Sequence, residues 1–173
     1  MPRFAGHIAA DKIAVGGHSF GGYSVFGFCG AIPERYDARI KAAVLYSPSS
    51  VGLLYDSSER RAHRVPTMYF IGGDERDNFL GAHTVGEWAA VSYPDLPRPK
   101  YFLEVEGAGH GSFTSDGDDV RTPDRARAVA DRHDLIARYT AAFLERHVLG
   151  RSTDDAILAT TSPGLVQCRC EPF

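Results

Sequence analysis

The sequence has no apolar run long enough to cross a membrane, no block of basic residues and no internal repeat. A membrane-spanning helix needs about 20 consecutive apolar residues, so we expect no membrane span. Lysine and arginine number 19 against 22 aspartate and glutamate residues, which gives a net charge of −3. Because this balance is slightly acidic, it argues against a nucleic-acid partner.

The first seven residues contain no apolar core of the kind found in secretory signal peptides. A cytoplasmic location is expected if Met1 is the true start of the protein. A longer parent protein would leave secretion open, so the sequence assigns no location.

Cysteine is scarce, and its three occurrences are Cys29, Cys168 and Cys170. Cys29 falls within a predicted helix and is expected to be a buried, small apolar residue. Cys168 and Cys170 form a Cys-Arg-Cys segment, but no second cysteine or histidine pair completes a zinc-binding pattern. We therefore interpret them as free thiols on a tail strand, rather than as a redox or metal pair, and predict no metal site.

The most informative stretch is Gly-His-Ser-Phe-Gly at residues 17–21, followed by another glycine. A short apolar segment at 13–15 precedes it and predicts a buried strand. Apolar residues at helical spacing follow it and predict a helix. This is the G-x-S-x-G nucleophile elbow, in which strand and helix nearly touch around a strained serine. We predict that Ser19 has a positive φ, and that the neighbouring His18 points away and packs locally.

The rest of the chain alternates strands with helices, which favours an α/β fold with a mostly parallel sheet. Segment 51–64 is expected to be irregular. The predicted strands cover 40–46, 65–71 and 100–105, with an edge strand at 165–170, and the predicted helices cover 82–91, 134–148 and 152–159. We assign 1–150 to a partial domain and 151–173 to a C-terminal tail.

The elbow and its context resemble the α/β-hydrolase superfamily, in particular its esterase, lipase and dienelactone-hydrolase-like branches. The resemblance runs from about Asp11 onward and covers the C-terminal part of that fold, so it implies a truncated α/β-hydrolase fold with flanking helices. Several strands and helices that normally precede the nucleophile strand have no counterpart before Asp11. An exposed apolar edge beside the nucleophile strand is therefore expected, and we expect either a homo-oligomer formed through it or a chain that is poorly stable alone.

The resemblance implies a triad in the chain order serine, acid, histidine. His110 follows a predicted strand among flanking glycines and is the candidate general base; the alternative is an ordinary turn histidine. The acid is expected just beyond the strand at 65–71. We select Asp77, with Asp74 as the alternate and Glu75 third.

One oxyanion-hole donor is expected to be the backbone N–H of Phe20, whereas the loop that supplies the second donor in the family is missing. Losing one such donor costs roughly 10² to 10³ in rate, so catalysis is expected to be weak.

The sequence thus predicts a serine hydrolase that cleaves small carboxylic esters through an acyl-enzyme intermediate and needs no cofactor. Lactone, thioester or peptide cleavage remains open, because the elbow does not distinguish these acyl transfers. The alternative is a catalytically weak or inactive hydrolase fragment that serves as a binding or oligomerising module.

Overall fold

A computed structural model describes residue 6 and residues 8–75, 84–115, 120–152 and 155–172. These residues form one five-stranded sheet in which the strands follow one another in chain order. The first four strands are parallel, and the fifth runs antiparallel to the fourth. The strands are β1 (Ile13–His18), β2 (Ile40–Tyr46), β3 (Thr67–Gly72), β4 (Lys100–Val105) and β5 (Leu165–Glu171).

Helices follow most of the parallel strands, as the predicted α/β alternation requires. They are α1 (Gly21–Phe26), α2 (Ser49–Leu54), α3 (Ser57–Arg61), α4 (Val85–Ser92), α5 (Pro123–His147) and α6 (Asp155–Leu158). A π-turn, Gly27–Ala31, extends α1, and one-turn 3₁₀ helices cover Pro33–Arg35, Tyr93–Asp95 and His110–Phe113.

Two predictions of helical structure were wrong. Segment 51–64 is not irregular, since it contains the end of α2 and all of α3. Asp56 and Glu59 form a capping box that starts α3, which compensates for the weak helical periodicity of this segment. Helix α5 begins at Pro123 rather than at residue 134, with Thr122 as its N-cap. Its first turns are largely polar, so apolar periodicity detects only the later, buried turns.

Each face of the sheet carries its own apolar core. One core packs α1, α2 and α4 against the sheet and includes Phe26, Tyr69 and the fully buried Cys29, as predicted. The other packs α5 against the opposite face through Tyr139 and Phe143. Cys168 and Cys170 are free thiols on β5, and both are partly buried against this second core. Residues 155–171 therefore complete the same sheet and core as the rest of the chain.

Strand β1 pairs only with β2 among the residues that the structure describes. It therefore lies at one edge of the sheet, and β5 lies at the other. Within the described ranges, no helix is long and apolar enough to cross a membrane. The parallel strands β1 to β4 end at one edge of the sheet, where the loops that follow them meet.

Candidate active site

Ser19 occupies the sharp bend between β1 and α1. Its φ is +54°, which confirms the predicted positive φ. The bend is anchored on both sides of the serine: the Ser19 N–H donates to the Tyr46 carbonyl at 2.9 Å, and the Ser50 hydroxyl donates to the Ser19 carbonyl at 2.9 Å. Since a non-glycine residue in this conformation is strained, these bonds to the end of β2 and to α2 hold the serine in place.

The glycines around Ser19 allow strand and helix to approach closely. A Cβ atom built at Gly17 would lie 2.5 Å from both the carbonyl carbon and the oxygen of Gly21. A Cβ at Gly22 would lie 2.6 Å from the Cβ of Pro48. Gly17 and Gly22 are therefore required for steric reasons.

His110 begins the 3₁₀ turn after β4 and reaches the elbow. Its Nε2 atom lies 2.9 Å from the Ser19 Oγ atom, as the sequence predicted for this pair. The prediction that His18 points away from the site is wrong. Its Nε2 atom lies 2.8 Å from the His110 carbonyl oxygen, and the two imidazole centroids are 4.7 Å apart. His18 thus ties the histidine loop to the nucleophile strand.

The other ring nitrogen of His110, Nδ1, contacts a serine that the sequence analysis did not select. The Ser47 Oγ atom lies 2.6 Å from His110 Nδ1 and donates to Glu75 Oε2 at 2.7 Å. The same Glu75 oxygen lies 3.8 Å from His110 Nδ1. Ser47 follows directly on β2, so its position at the carboxyl end of a parallel strand was the available sequence signal.

Of the two candidate acids that the structure describes, Glu75 lies close to the histidine. The Glu75 side chain is 1% exposed, whereas Asp74 is exposed to solvent. Asp77, the first choice from sequence, lies outside the described residues, so its place near the histidine stays a prediction. Backbone hydrogen bonds of this loop explain the orientations of Asp74 and Glu75. The N–H groups of Gly73 and Asp74 donate to the carbonyls of Val105 and Ala108, which fastens this loop to the end of β4.

The space above Ser19 is bordered by the start of α1. The N–H groups of Gly22 and Tyr23 donate to the carbonyls of Ser19 and Phe20. Among the described residues, the N–H groups of Phe20 and Gly21 make no such backbone bond. A negatively charged oxygen near Ser19 would be stabilised by such N–H groups at the start of a helix.

The described part of the site contains no group of metal-ligating side chains. Across the described residues, no three histidine, cysteine, aspartate or glutamate side chains converge well enough to hold a metal ion. A cavity of about 620 Å³ lies between α5 and the turn that follows His110, with Tyr46, Phe113 and Ile136 in its wall. Neither Ser19 nor His110 lines this cavity.

The arrangement of strands, elbow and histidine loop defines a truncated fold of the α/β-hydrolase type. Searches with the sequence found no matching protein-family model and no matching curated protein. Solved structures do match. A ferulic acid esterase from Streptomyces cinnamoneus aligns with a TM-score of 0.53 and 23% identity, over 92% of this chain and 48% of that protein.

A CIB-like hydrolase from Thermoplasma acidophilum aligns less closely, with a TM-score of 0.44 and 16% identity. That alignment covers 73% of this chain and 51% of the hydrolase. The chain thus spans about half the length of both proteins. The similarity to the esterase establishes the fold, and evidence for a reaction comes from the geometry of the residues at the site.

Proposed function

We propose that this chain is a serine hydrolase that cleaves carboxylic esters through an acyl-enzyme intermediate. The contact of 2.9 Å between Ser19 Oγ and His110 Nε2, at a strained elbow, is the observation that carries the proposal. A serine hydroxyl is a weak nucleophile until an adjacent base can accept its proton. Ser19 is partly exposed and Phe20 beside it is exposed, so solvent reaches the elbow.

The reaction would begin when Ser19 Oγ attacks the ester carbonyl and its proton passes to His110 Nε2. The oxyanion that forms would accept a hydrogen bond from the Phe20 N–H. His110 would then donate the proton to the leaving alkoxide, and the acyl group would remain on Ser19. A water molecule, deprotonated by His110, would release the acid and restore the serine.

Glu75 is the described carboxylate best placed to support this cycle. It is buried, and its Oε2 atom lies 3.8 Å from His110 Nδ1. A negative charge there would stabilise the imidazolium that forms during each proton transfer. We therefore propose Glu75, rather than the alternate Asp74, as the acid, whereas Asp77, the first choice from sequence, lies outside the described residues and stays an untested prediction.

We propose an ester substrate because one of the solved proteins that share this fold is named a ferulic acid esterase. Lactones and thioesters would undergo the same acyl transfer, and amides would need more help for the leaving group. None of the proposed steps requires a metal or an organic cofactor. We expect slow turnover, because one oxyanion donor is identified where hydrolases commonly use two.

The proposal predicts Ser19-dependent esterase activity and covalent labelling of Ser19. The protein should hydrolyse p-nitrophenyl acetate above the buffer rate and should gain one adduct from a fluorophosphonate, located on Ser19 by peptide mass spectrometry. Ser19→Ala should lose both properties. Ser24→Ala, an exposed serine on α1, is the matched control and should retain both. Equal activity in the protein and Ser19→Ala, with no adduct on Ser19, would exclude the proposal.

The edge strand β1 supports a second function, pairing between copies of the chain. Its outward N–H and C=O groups form a row that another strand can extend, since β1 has a described partner on one side only. Such pairing would make the chain an oligomerising module, whether or not it turns over esters.

This second proposal predicts an oligomer that Ala14→Pro dissociates. The N–H groups of successive residues in a strand point alternately to its two sides. The Ser19 N–H points to β2, so the Ala14 N–H, an odd number of residues away, points to the other side. Proline at this position would remove an outward donor and leave the β1–β2 bonds in place. Size-exclusion chromatography with light scattering should show a dimer or larger species that Ala14→Pro converts to a monomer. A monomer at all concentrations of the unaltered protein would contradict it.

A further inference from the structure

Ser47 has an unusual backbone conformation at the centre of the site. Its φ is +46°, and the described residues contain only one other non-glycine residue with positive φ, the elbow residue Ser19. Ser47 is fully buried, and its N–H donates to the Phe70 carbonyl at 2.8 Å, which continues the bonding between β2 and β3. Strained residues of this kind persist when the surrounding structure holds them, and they concentrate at functional sites.

The Ser47 hydroxyl stands between the histidine and the carboxylate. A distance of 3.8 Å between His110 Nδ1 and Glu75 Oε2 is too long for a hydrogen bond, whereas Ser47 Oγ lies within 2.7 Å of both atoms. A serine hydroxyl has one proton to donate. Because Ser47 donates this proton to Glu75 Oε2, its hydroxyl oxygen must accept a hydrogen bond from His110 Nδ1–H.

We propose that Ser47 is a positioning residue that couples Glu75 to His110 and selects the histidine tautomer needed for catalysis. With the proton on Nδ1, the neutral ring presents an unprotonated Nε2 atom to the Ser19 hydroxyl. The hydrogen bonds then run in one direction, from Ser19 to His110, from His110 to Ser47 and from Ser47 to Glu75. This role rests on the proposed function of the site, but the tautomer itself is a property of the resting protein.

The hydroxyl keeps its position through the reaction cycle. When Ser19 loses its proton to Nε2, the ring becomes an imidazolium with N–H groups on both nitrogens. Nδ1–H continues to donate to Ser47, and Ser47 continues to donate to Glu75. No proton therefore passes beyond the ring, and Ser47 transmits the stabilising effect of the Glu75 carboxyl group as a fixed dipole.

The tautomer can be measured without any turnover. In the protein labelled with ¹⁵N-histidine, NMR at a pH where His110 is neutral should show the Nδ1–H tautomer of His110. The same tautomer should persist in Ser19→Ala, because Ser47 and not Ser19 selects it. In Ser47→Ala the resonances should shift towards the Nε2–H tautomer. Predominance of the Nε2–H tautomer in the unaltered protein, or no change in Ser47→Ala, would overturn the proposal.

Kinetics test the coupling by a double-mutant cycle on Ser47→Ala and Glu75→Gln. Each substitution should lower kcat for p-nitrophenyl acetate by about 10²–10⁴ with little change in KM, as for other losses of the group that orients the histidine. The double variant should lose no more than the worse single variant, because both substitutions break one chain of hydrogen bonds. Multiplicative losses, or a loss below threefold in Ser47→Ala, would overturn the proposal.

Ser47→Gly separates this role from a contribution to folding. Glycine adopts φ near +46° without strain, so this variant lacks the hydroxyl but relieves the backbone. It should show the same loss of kcat and the same tautomer shift as Ser47→Ala. Full activity in Ser47→Gly would overturn the coupling. Absence of Ser19-dependent hydrolysis in the unaltered protein would instead count against the proposed function, and the NMR result would still decide the role of Ser47.

Discussion

Replacement of His110 by alanine is expected to reduce ester hydrolysis by about 10⁴-fold. The imidazole lies 2.9 Å from the Ser19 hydroxyl and is the described base in contact with it. Without that base the serine proton has no acceptor during attack, and the leaving alkoxide has no donor. Initial rates with p-nitrophenyl acetate measure the loss, and the rate of labelling by a fluorophosphonate should fall with it.

Two further variants make this result specific. Ser19→Ala combined with His110→Ala should be no slower than either single variant, because the two side chains act as one unit. His133→Ala changes a histidine on α5 and should keep the activity of the unaltered protein. A loss below tenfold in His110→Ala would show that another group serves as the base.

The second large effect is expected at Gly17, where alanine should destabilise the protein by about 3 kcal/mol or more, or prevent folding. Its Cβ atom would lie 2.5 Å from the carbonyl carbon and oxygen of Gly21. Both are backbone atoms at the start of α1, so relief of the clash requires the helix to move away from β1. That movement would also break the bond from the Gly22 N–H to the Ser19 carbonyl.

Gly21→Ala is the matched control, because a Cβ at Gly21 would meet no atom within 4 Å. Alanine is also favoured over glycine in a helix by about 1 kcal/mol, so this variant should be as stable as the unaltered protein or slightly more stable. Urea unfolding followed by circular dichroism measures both variants. Equal stability of Gly17→Ala and Gly21→Ala would show that the close approach of strand and helix is not required.

Local sequence patterns predicted those parts of the site whose backbone conformation is determined by a few residues that are close in sequence. The glycine spacing around Ser19 predicted the bend, and at positions 17 and 22 only glycine permits the close approach of the backbone that the structure shows. The glycines around His110 allowed a loop that carries its ring to the elbow. The apolar segments predicted the parallel strands, since strands buried on both faces are apolar along their length.

Identification of the acid, and of the serine beside it, required the tertiary structure. Asp74, Glu75 and Asp77 all follow β3, and no local pattern distinguishes three carboxylates within four positions. Bonds from this loop to the end of β4 leave Asp74 exposed and bury Glu75 against Ser47.

The sequence by itself thus determined the α/β alternation, the bend at Ser19 and the approach of His110 to it. The alternation and the bend follow from steric limits and apolar patterns within short segments, whereas His110, 91 positions from Ser19, was selected from the resemblance to the α/β-hydrolase superfamily and from its place among glycines after a strand. Only the tertiary structure decided which described carboxylate faces the histidine and that Ser47 stands between them. Those contacts join residues 28 and 63 positions apart, and they arise from the packing of the loops after β2, β3 and β4 at one edge of the sheet.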